Sequence, residues 1–105
     1  MTSIEKDRVY QELWVSLSSL LRSYVAAHGL NGKLVATVTL GEECVKVRCG
    51  ERWLELERQG AEVNWKREDG SQGVAEFMED GRLRCGSDEE EMDLKAEMWA
   101  RELMR

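Results

Sequence analysis

Residues 34–49, LVATVTLGEECVKVRC, decide the fold of this chain, because they contain two runs in which apolar side chains return at every second position. Alternation with a period of two is typical of a β-strand that buries one face. Up to residue 30 the apolar side chains recur instead at spacings of three and four, as they do on one side of a helix. This change of spacing predicts that the chain passes from helix to strand after Gly32.

Five short turn candidates divide the sequence between residues 33 and 85 into six strands. They are Glu42-Glu43, Gly50-Glu51, Gln59-Gly60, Asp69-Gly70 and Asp80-Gly81. With two residues in every loop, as in the commonest hairpins, the apolar residues fall into continuous rows. These rows are Val38–Val47–Leu54–Trp65–Val74 and Leu40–Val45–Leu56–Val63, with Met78 opposite Leu83. Glu76 is the main exception on this face, and the pattern predicts a six-stranded antiparallel meander.

The first helix is predicted to begin at a capping box, since Thr2 and Glu5 have the required spacing. We expect it to continue to His28 and to end at Gly29, which can adopt the left-handed conformation that follows many helices. Its apolar stripe consists of Tyr10, Leu13, Trp14, Leu17, Leu20, Leu21 and Tyr24.

A second helix is predicted after the meander, beginning at a capping box formed by Ser87 and Glu90. The acidic residues 88–91 would then occupy its first turn, where they complement the helix dipole. Its apolar stripe consists of Met92, Ala96, Trp99 and Leu103. The element order predicts a single α+β domain over residues 1–105, a two-layer sandwich with both helices on one sheet face.

Length and charge exclude several classes of function. The chain has 105 residues and a formal net charge of −6, and a negative field of this kind opposes binding to nucleic acid and to anionic membranes. No apolar run approaches the roughly 18 residues of a membrane span. The first residues have no signal-peptide pattern and the three cysteines form no disulfide framework, so we expect a cytoplasmic protein.

The sequence carries no catalytic or metal-binding motif. His28 is the only histidine, and its predicted place at a helix end favours an interaction with the helix dipole. Cys44 and Cys49 are five residues apart on one predicted strand, so their side chains point to opposite faces and cannot converge on one ion with Cys85. We therefore expect no catalytic residue, no metal ligand and no cofactor.

Two sets of side chains are candidates for binding. The possible interface residues lie on the back of the first helix, on the second helix and on the outer sheet face: Ser16, Ser19, Ser23, Ala27, Leu94, Met98 and Trp53. The possible pocket residues are aromatic side chains between helices and sheet: Trp14, Tyr24, Trp65 and Trp99. Each set also has a simpler explanation, a solvated surface for the first and a filled core for the second.

These features favour a small non-enzymatic protein-interaction module of the adaptor, chaperone-like or immunity type, which binds a protein partner or self-associates as a homodimer. The first alternative is a small-ligand-binding protein with an aromatic pocket. The element order, the length and the acidic balance are also similar to those of frataxin and its bacterial relatives, and this resemblance implies metal handling as a further alternative. The strand motif Asn-Lys/Arg-Gln that leads to a tryptophan in that family does not occur here, nor does its dense acidic ridge on the first helix.

Overall fold

The computed structural model describes residues 3–30 and 36–104 of the chain, as a helix, an antiparallel sheet and a second helix. The strands follow one another in the sheet in the order in which they occur in the sequence, which confirms the predicted α+β meander. The elements are α1 (Ser3–Leu30), β1 (Thr37–Leu40), β2 (Cys44–Cys49), β3 (Arg52–Gln59), β4 (Glu62–Arg67), β5 (Gln72–Phe77), β6 (Arg82–Cys85), β7 (Asp88–Glu91) and α2 (Met92–Leu103).

The sheet has seven strands, so the predicted number of six is wrong. The difference is β7, whose acidic residues 88–91 are predicted from the sequence to form the first turn of the second helix. It pairs with β6, which places Arg82 opposite Glu91 and Arg84 opposite Glu89, and opposite charges across a strand pair are favourable. The helix α2 begins only at Met92, and its N-cap residue Glu91 makes no side-chain cap hydrogen bond. The predicted capping box at Ser87 is therefore wrong.

The first helix also differs from its predicted bounds. Its hydrogen-bonded turns continue through Gly29 to Leu30, so Gly29 does not end the helix and does not have a positive φ. The cap predicted at Thr2 and the predicted strand residues Leu34 and Val35 lie outside the described residues.

The loop between β4 and β5 has three residues, not two, and this shifts the register by one. The Arg67 amide donates to the Ser71 carbonyl over 2.9 Å, the Gly70 amide donates to the Arg67 carbonyl over 3.1 Å, and Gly70 has a φ of +88°. These are the features of a turn followed by a glycine bulge. As a result Trp65 lies opposite Gly73 and not, as predicted, opposite Val74.

The shift by one residue exchanges the two faces of β5. Phe77 is buried and faces the helices, while Val74 is 51% exposed on the other side. Glu76, the exception on the predicted apolar face, points outward and forms an ion pair with Arg84 over 3.0 Å. The loop between β5 and β6 is of the same three-residue kind, so Phe77 and not Met78 lies opposite Leu83.

The register between β3 and β4 differs from the prediction by two residues, which leaves both faces unchanged. The tight loop is Gly60-Ala61, one position later than predicted, because Gly60 takes the positive φ of 61°. Leu56 therefore lies opposite Trp65, and Arg58 opposite Val63. The predicted pairing of β1 with β2 and of β2 with β3 is confirmed. It gives the rows Val38–Val47–Leu54 and Leu40–Val45–Leu56.

One apolar core lies between the sheet and the two helices. Its sheet members all belong to the same face, which is the inner face, so α1 and α2 cover a single side of the sheet. The buried apolar residues are Trp14, Leu17, Leu21 and Val25 of α1, Val45, Val47, Cys49, Leu54, Leu56, Val63, Ala75, Phe77 and Leu83 of the sheet, and Met92, Ala96, Trp99, Ala100 and Leu103 of α2. The opposite side of the sheet, hereafter the open face, is covered by no element among the described residues.

Candidate functional site

The open face divides into a basic part and an acidic part. Four outward side chains near one end of β2, β3 and β4 form a patch, hereafter the basic–aromatic patch, which consists of Lys46, Arg48, Trp53 and Lys66. Glu55 lies between Lys46 and Lys66 in the strand register and points to the same face. Toward the other end of the strands and toward β7 the outward charged side chains are mostly carboxylates: Glu57, Glu62, Glu76, Glu89 and Glu91, with Arg82 and Arg84 among them. The face of this acidic protein therefore carries a local positive region next to a negative one.

Trp53 is the centre of the basic–aromatic patch. It lies opposite Arg48 in the strand register and is half-buried. The Lys46 ammonium lies 5.2 Å from the centroid of its ring, within the range of a cation–π interaction. The same ammonium lies 3.9 Å from the Glu55 carboxylate, and the Arg48 Nε donates to the Gly50 carbonyl over 3.3 Å. These contacts hold two cations around an indole that remains partly accessible.

A groove of about 560 Å³ lies where the β2–β3 and β4–β5 loops meet the end of α2. Its lining residues are Glu51, Arg52, Trp53, Leu54, Arg67, Glu68, Asp69, Trp99, Glu102 and Leu103. Arg67 crosses it from the sheet to α2, since its guanidinium forms an ion pair with Glu102 and lies 5.4 Å from the centroid of the Trp65 ring. The groove thus combines four carboxylates and two guanidiniums with the apolar side chains of Trp53, Leu54, Trp99 and Leu103.

The four possible pocket residues do not line a common cavity. Trp14 and Trp99 are buried in the core with 2% and 1% of their surface exposed, and only Trp99 borders the groove. Trp65 is half-buried on the inner face and covers the backbone of Gly73. Tyr24 lies between the two helices, where its hydroxyl donates to the Asp93 carboxylate.

The possible interface residues occupy three separate surfaces. On α1 the small side chains are all exposed: Ser16, Ser19, Ser23 and Ala27. On α2 Leu94 is 60% exposed, whereas Met98 is half-buried and packs against the core. Trp53 alone lies on the open face. Two features are not predicted from the sequence: Val15 is 59% exposed on α1, and Lys46 is a neighbour of Trp53.

The described residues contain no cluster of three or more histidine, cysteine, aspartate or glutamate side chains that could hold a metal ion. Cys44 is exposed on the open face, Cys49 is buried on the inner face and Cys85 is half-buried, and all three are free thiols. Burial and the nearby Glu55 and Glu57 carboxylates raise the pKa of the Cys44 thiol. His28 lies between the helices, with its Nε2 3.7 Å from the Glu97 carboxylate.

The helices are joined by two polar contacts, Tyr24 with Asp93 and His28 with Glu97. Both contacts advance by four residues on each helix, so α1 and α2 run in the same direction at this point. The hydrogen bond to Asp93 raises the pKa of Tyr24 above its ordinary value of 10.0, with smaller contributions from burial and from the charges of Asp93 and Glu97.

Replacing Tyr24 with phenylalanine is expected to lower the melting temperature at neutral pH, because the hydrogen bond to Asp93 is lost. A raised pKa means that the folded state favours the neutral phenol. The contribution of Tyr24 to stability is therefore complete below about pH 10 and lost as the pH rises through the raised pKa. Melting curves over a pH series should show the difference between wild type and variant shrinking at alkaline pH. The Tyr10→Phe variant is the control, and identical pH profiles for the two variants would contradict the assigned contact.

No protein-family model, curated protein or solved structure matches this chain. Among the helices in the described part of the chain, none has the length and apolar character that crossing a bilayer requires. What bears on function is therefore the geometry of the open face and of the groove.

Proposed function

We propose that the protein is a non-catalytic interaction module that binds an acidic segment of a partner protein through the basic–aromatic patch. The observation that carries this proposal is Trp53, a half-buried indole on an uncovered sheet face with the Lys46 ammonium 5.2 Å from its ring centroid. Tryptophan and arginine are enriched among the residues that dominate protein–protein binding. Trp53 beside Arg48 combines both in one cross-strand pair.

Charge supports an acidic partner. The chain has a formal net charge of −6, so a group of three cations with a single carboxylate, Glu55, between them on one part of the open face departs from its average surface. Carboxylates of a partner would meet Lys46, Arg48 and Lys66, while the acidic part of the face would repel them. Opposite charges across an interface accelerate association, and like charges suppress wrong orientations. The two parts of the face would thus direct the partner to one end of the sheet.

Single-stranded nucleic acid is the other polyanion that binds an aromatic side chain among cations. Its affinity depends on the number of phosphates that the protein neutralises along the strand. Here Lys46, Arg48 and Lys66 cluster at one end of the face, and the neighbouring part carries Glu57, Glu62 and Glu76, with Arg84 in an ion pair with Glu76. An acidic protein segment, which has a lower and more local charge, fits this surface better.

The alternatives have less support. A pocket for a small ligand is normally lined mainly by apolar side chains, whereas six of the ten residues that line the groove are charged and Arg67 crosses it in an ion pair with Glu102. Trp99 is 1% exposed and offers a ligand almost no ring surface. Metal handling would need converging ligands, and the described residues provide no such group.

The proposal predicts that a glutamate-rich peptide binds to the open face. In a ¹⁵N-correlated NMR titration, we expect the largest shift changes at Lys46, Arg48 and the indole N–H of Trp53. The double charge reversal Lys46→Glu with Arg48→Glu is expected to weaken binding about tenfold, and Trp53→Ala by a similar factor. Added salt should weaken the wild-type complex, because the contacts lie at the surface.

The matched control is the double variant Arg8→Glu with Arg22→Glu. It changes the net charge by the same amount, but at exposed positions on α1. If this control weakens binding as much as the reversal in the patch, the effect comes from net charge alone and the proposed site is wrong. Tighter binding of a single-stranded oligonucleotide than of the peptide would also contradict an acidic protein segment as the occupant.

A further inference from the structure

The outer edge of β1 has backbone groups that are directed away from the sheet. The Gly41 amide donates to the Cys44 carbonyl over 2.7 Å, which makes this pair the hydrogen-bonded pair that closes the β1–β2 hairpin. Hydrogen-bonded and non-hydrogen-bonded pairs alternate along an antiparallel ladder. The N–H and C=O groups of Thr37 and Thr39 therefore point toward β2, and those of Val38 and Leu40 point outward. Within the described residues, β1 pairs with β2 alone.

The two edges of the sheet differ in charge. The edge strand β7, Asp88–Glu91, consists entirely of acidic residues, and charge on an edge strand is a common means of preventing the addition of another strand. The edge strand β1, Thr37–Leu40, has no charged residue. Leu40 is 48% exposed at this edge and Val38 is half-buried, both on the inner face. Of the two edge strands among the described residues, β1 is therefore the one without charges that would oppose an added strand.

The side chains near β1 specify what such a strand would contain. Residues of an added strand that lie opposite Val38 and Leu40 would share the inner face with them and would be apolar. The residues between them would point to the open face, two strand spacings or roughly 9.6 Å from Lys46 and Arg48. Extended lysine and glutamate side chains can span this distance, so these positions suit carboxylates.

We propose that β1 accepts an extended partner segment with alternating acidic and apolar residues as an eighth strand of the sheet. This inference rests on the proposed function, since it describes how the acidic partner reaches the basic–aromatic patch. Main-chain hydrogen bonds to Val38 and Leu40 would supply affinity, and the charges of Lys46 and Arg48 would select the acidic face of the strand. Strand addition of this kind is a recurrent mode of peptide recognition.

The test compares two peptides of identical composition, one with alternating valine and glutamate and one with the glutamates in a single block. The alternating peptide is expected to bind about tenfold more tightly, at concentrations at which it is itself monomeric. Amide hydrogen exchange provides the decisive readout. We expect binding to slow the exchange of the outward amides of Val38 and Leu40, while the Thr39 amide is already protected by β2.

The Val38→Pro variant removes one outward N–H and leaves the bonds between β1 and β2 intact, because proline is tolerated where the N–H faces away from the sheet. It should weaken binding of the alternating peptide and not that of the blocked peptide. If this variant does not fold, the exchange measurement on the wild-type protein decides.

Equal affinity for the two peptides, with unchanged exchange at Val38 and Leu40, would overturn strand addition and leave the proposed function standing. Failure of both peptides to bind would overturn both proposals. Slow exchange at Val38 and Leu40 that depends on protein concentration in the absence of peptide would show that a second copy of the chain occupies this edge, and would also overturn the inference.

Discussion

Replacement of Phe77 by alanine is expected to lower the free energy of unfolding by about 3–5 kcal/mol, because the ring is buried in the core and its removal leaves a cavity. A loss of this size is a large fraction of the total stability of a small domain. Urea denaturation would measure this loss directly. The slope of the unfolding free energy against urea concentration should be the same for the variant and the wild type.

The control for this prediction is Val74→Ala on the same strand. Val74 is 51% exposed, so its truncation should change stability by less than about 0.5 kcal/mol. The two variants together test the register of β5, since a two-residue loop before this strand would bury Val74 and expose Phe77. A large effect at Val74 with a small one at Phe77 would contradict the three-residue loop.

Replacement of Gly73 by alanine is expected to cost about 1–3 kcal/mol, as overpacking in a filled site does. The indole of Trp65 lies directly on the Gly73 backbone, and an added Cβ would be 2.7 Å from its Cζ2 atom and 2.9 Å from its Nε1 atom. The ring cannot move freely, because the Arg67 guanidinium stacks on it and is bound in turn to Glu102 of α2. Gly73 has no positive φ, so the expected cost comes from the contact and not from backbone strain.

A double-mutant cycle with Trp65→Ala isolates this contact. When the indole is absent, the three atoms nearest to the new methyl group are removed, and Gly73→Ala should then cost far less than in the wild-type background. Thermal or urea unfolding of the four proteins gives the coupling energy. An equal cost of Gly73→Ala in both backgrounds would show that the two residues are not in contact.

The sequence predicts those parts of the sheet that depend on local turn chemistry. The rows through Val38, Val47 and Leu54 are correct because the intervening loops have two residues. The Asp69-Gly70 pair is ambiguous, since it fits both a two-residue loop and a three-residue loop with glycine in the left-handed position. Both Val74 and Phe77 are apolar, so the pattern could not decide between these loops, and only packing against the helices does.

The strand β7 shows the limit of local propensity. A run of four acidic residues has a low tendency to form a strand and is typical of a helix N-terminus. It nevertheless pairs as a strand with β6, which places Arg82 opposite Glu91 and Arg84 opposite Glu89. The pairing is set by the two-residue turn Gly86-Ser87, in which Gly86 has a φ of +65°, so the signal lies before the acidic run and not within it.

The candidate site was partly visible in the sequence. The pairing of Trp53 with Arg48 follows from the Gly50-Glu51 turn and is confirmed. The approach of Lys46 to the indole depends on side-chain rotamers across a diagonal of the sheet, which periodicity does not specify. The groove is formed by two loops and the end of α2, and no single stretch of sequence indicates it.

Each strand of the sheet pairs with the strand that follows it in the sequence, and this order affects how the chain folds. Each hairpin closes over a short contour length, which favours rapid formation of the sheet. The helix pair is different, since Tyr24 and Asp93 are 69 residues apart in the sequence. During synthesis on the ribosome, the apolar inner face of the sheet therefore stays incompletely covered until α2 (Met92–Leu103) has been translated. Until then the nascent polypeptide is a candidate for chaperone capture.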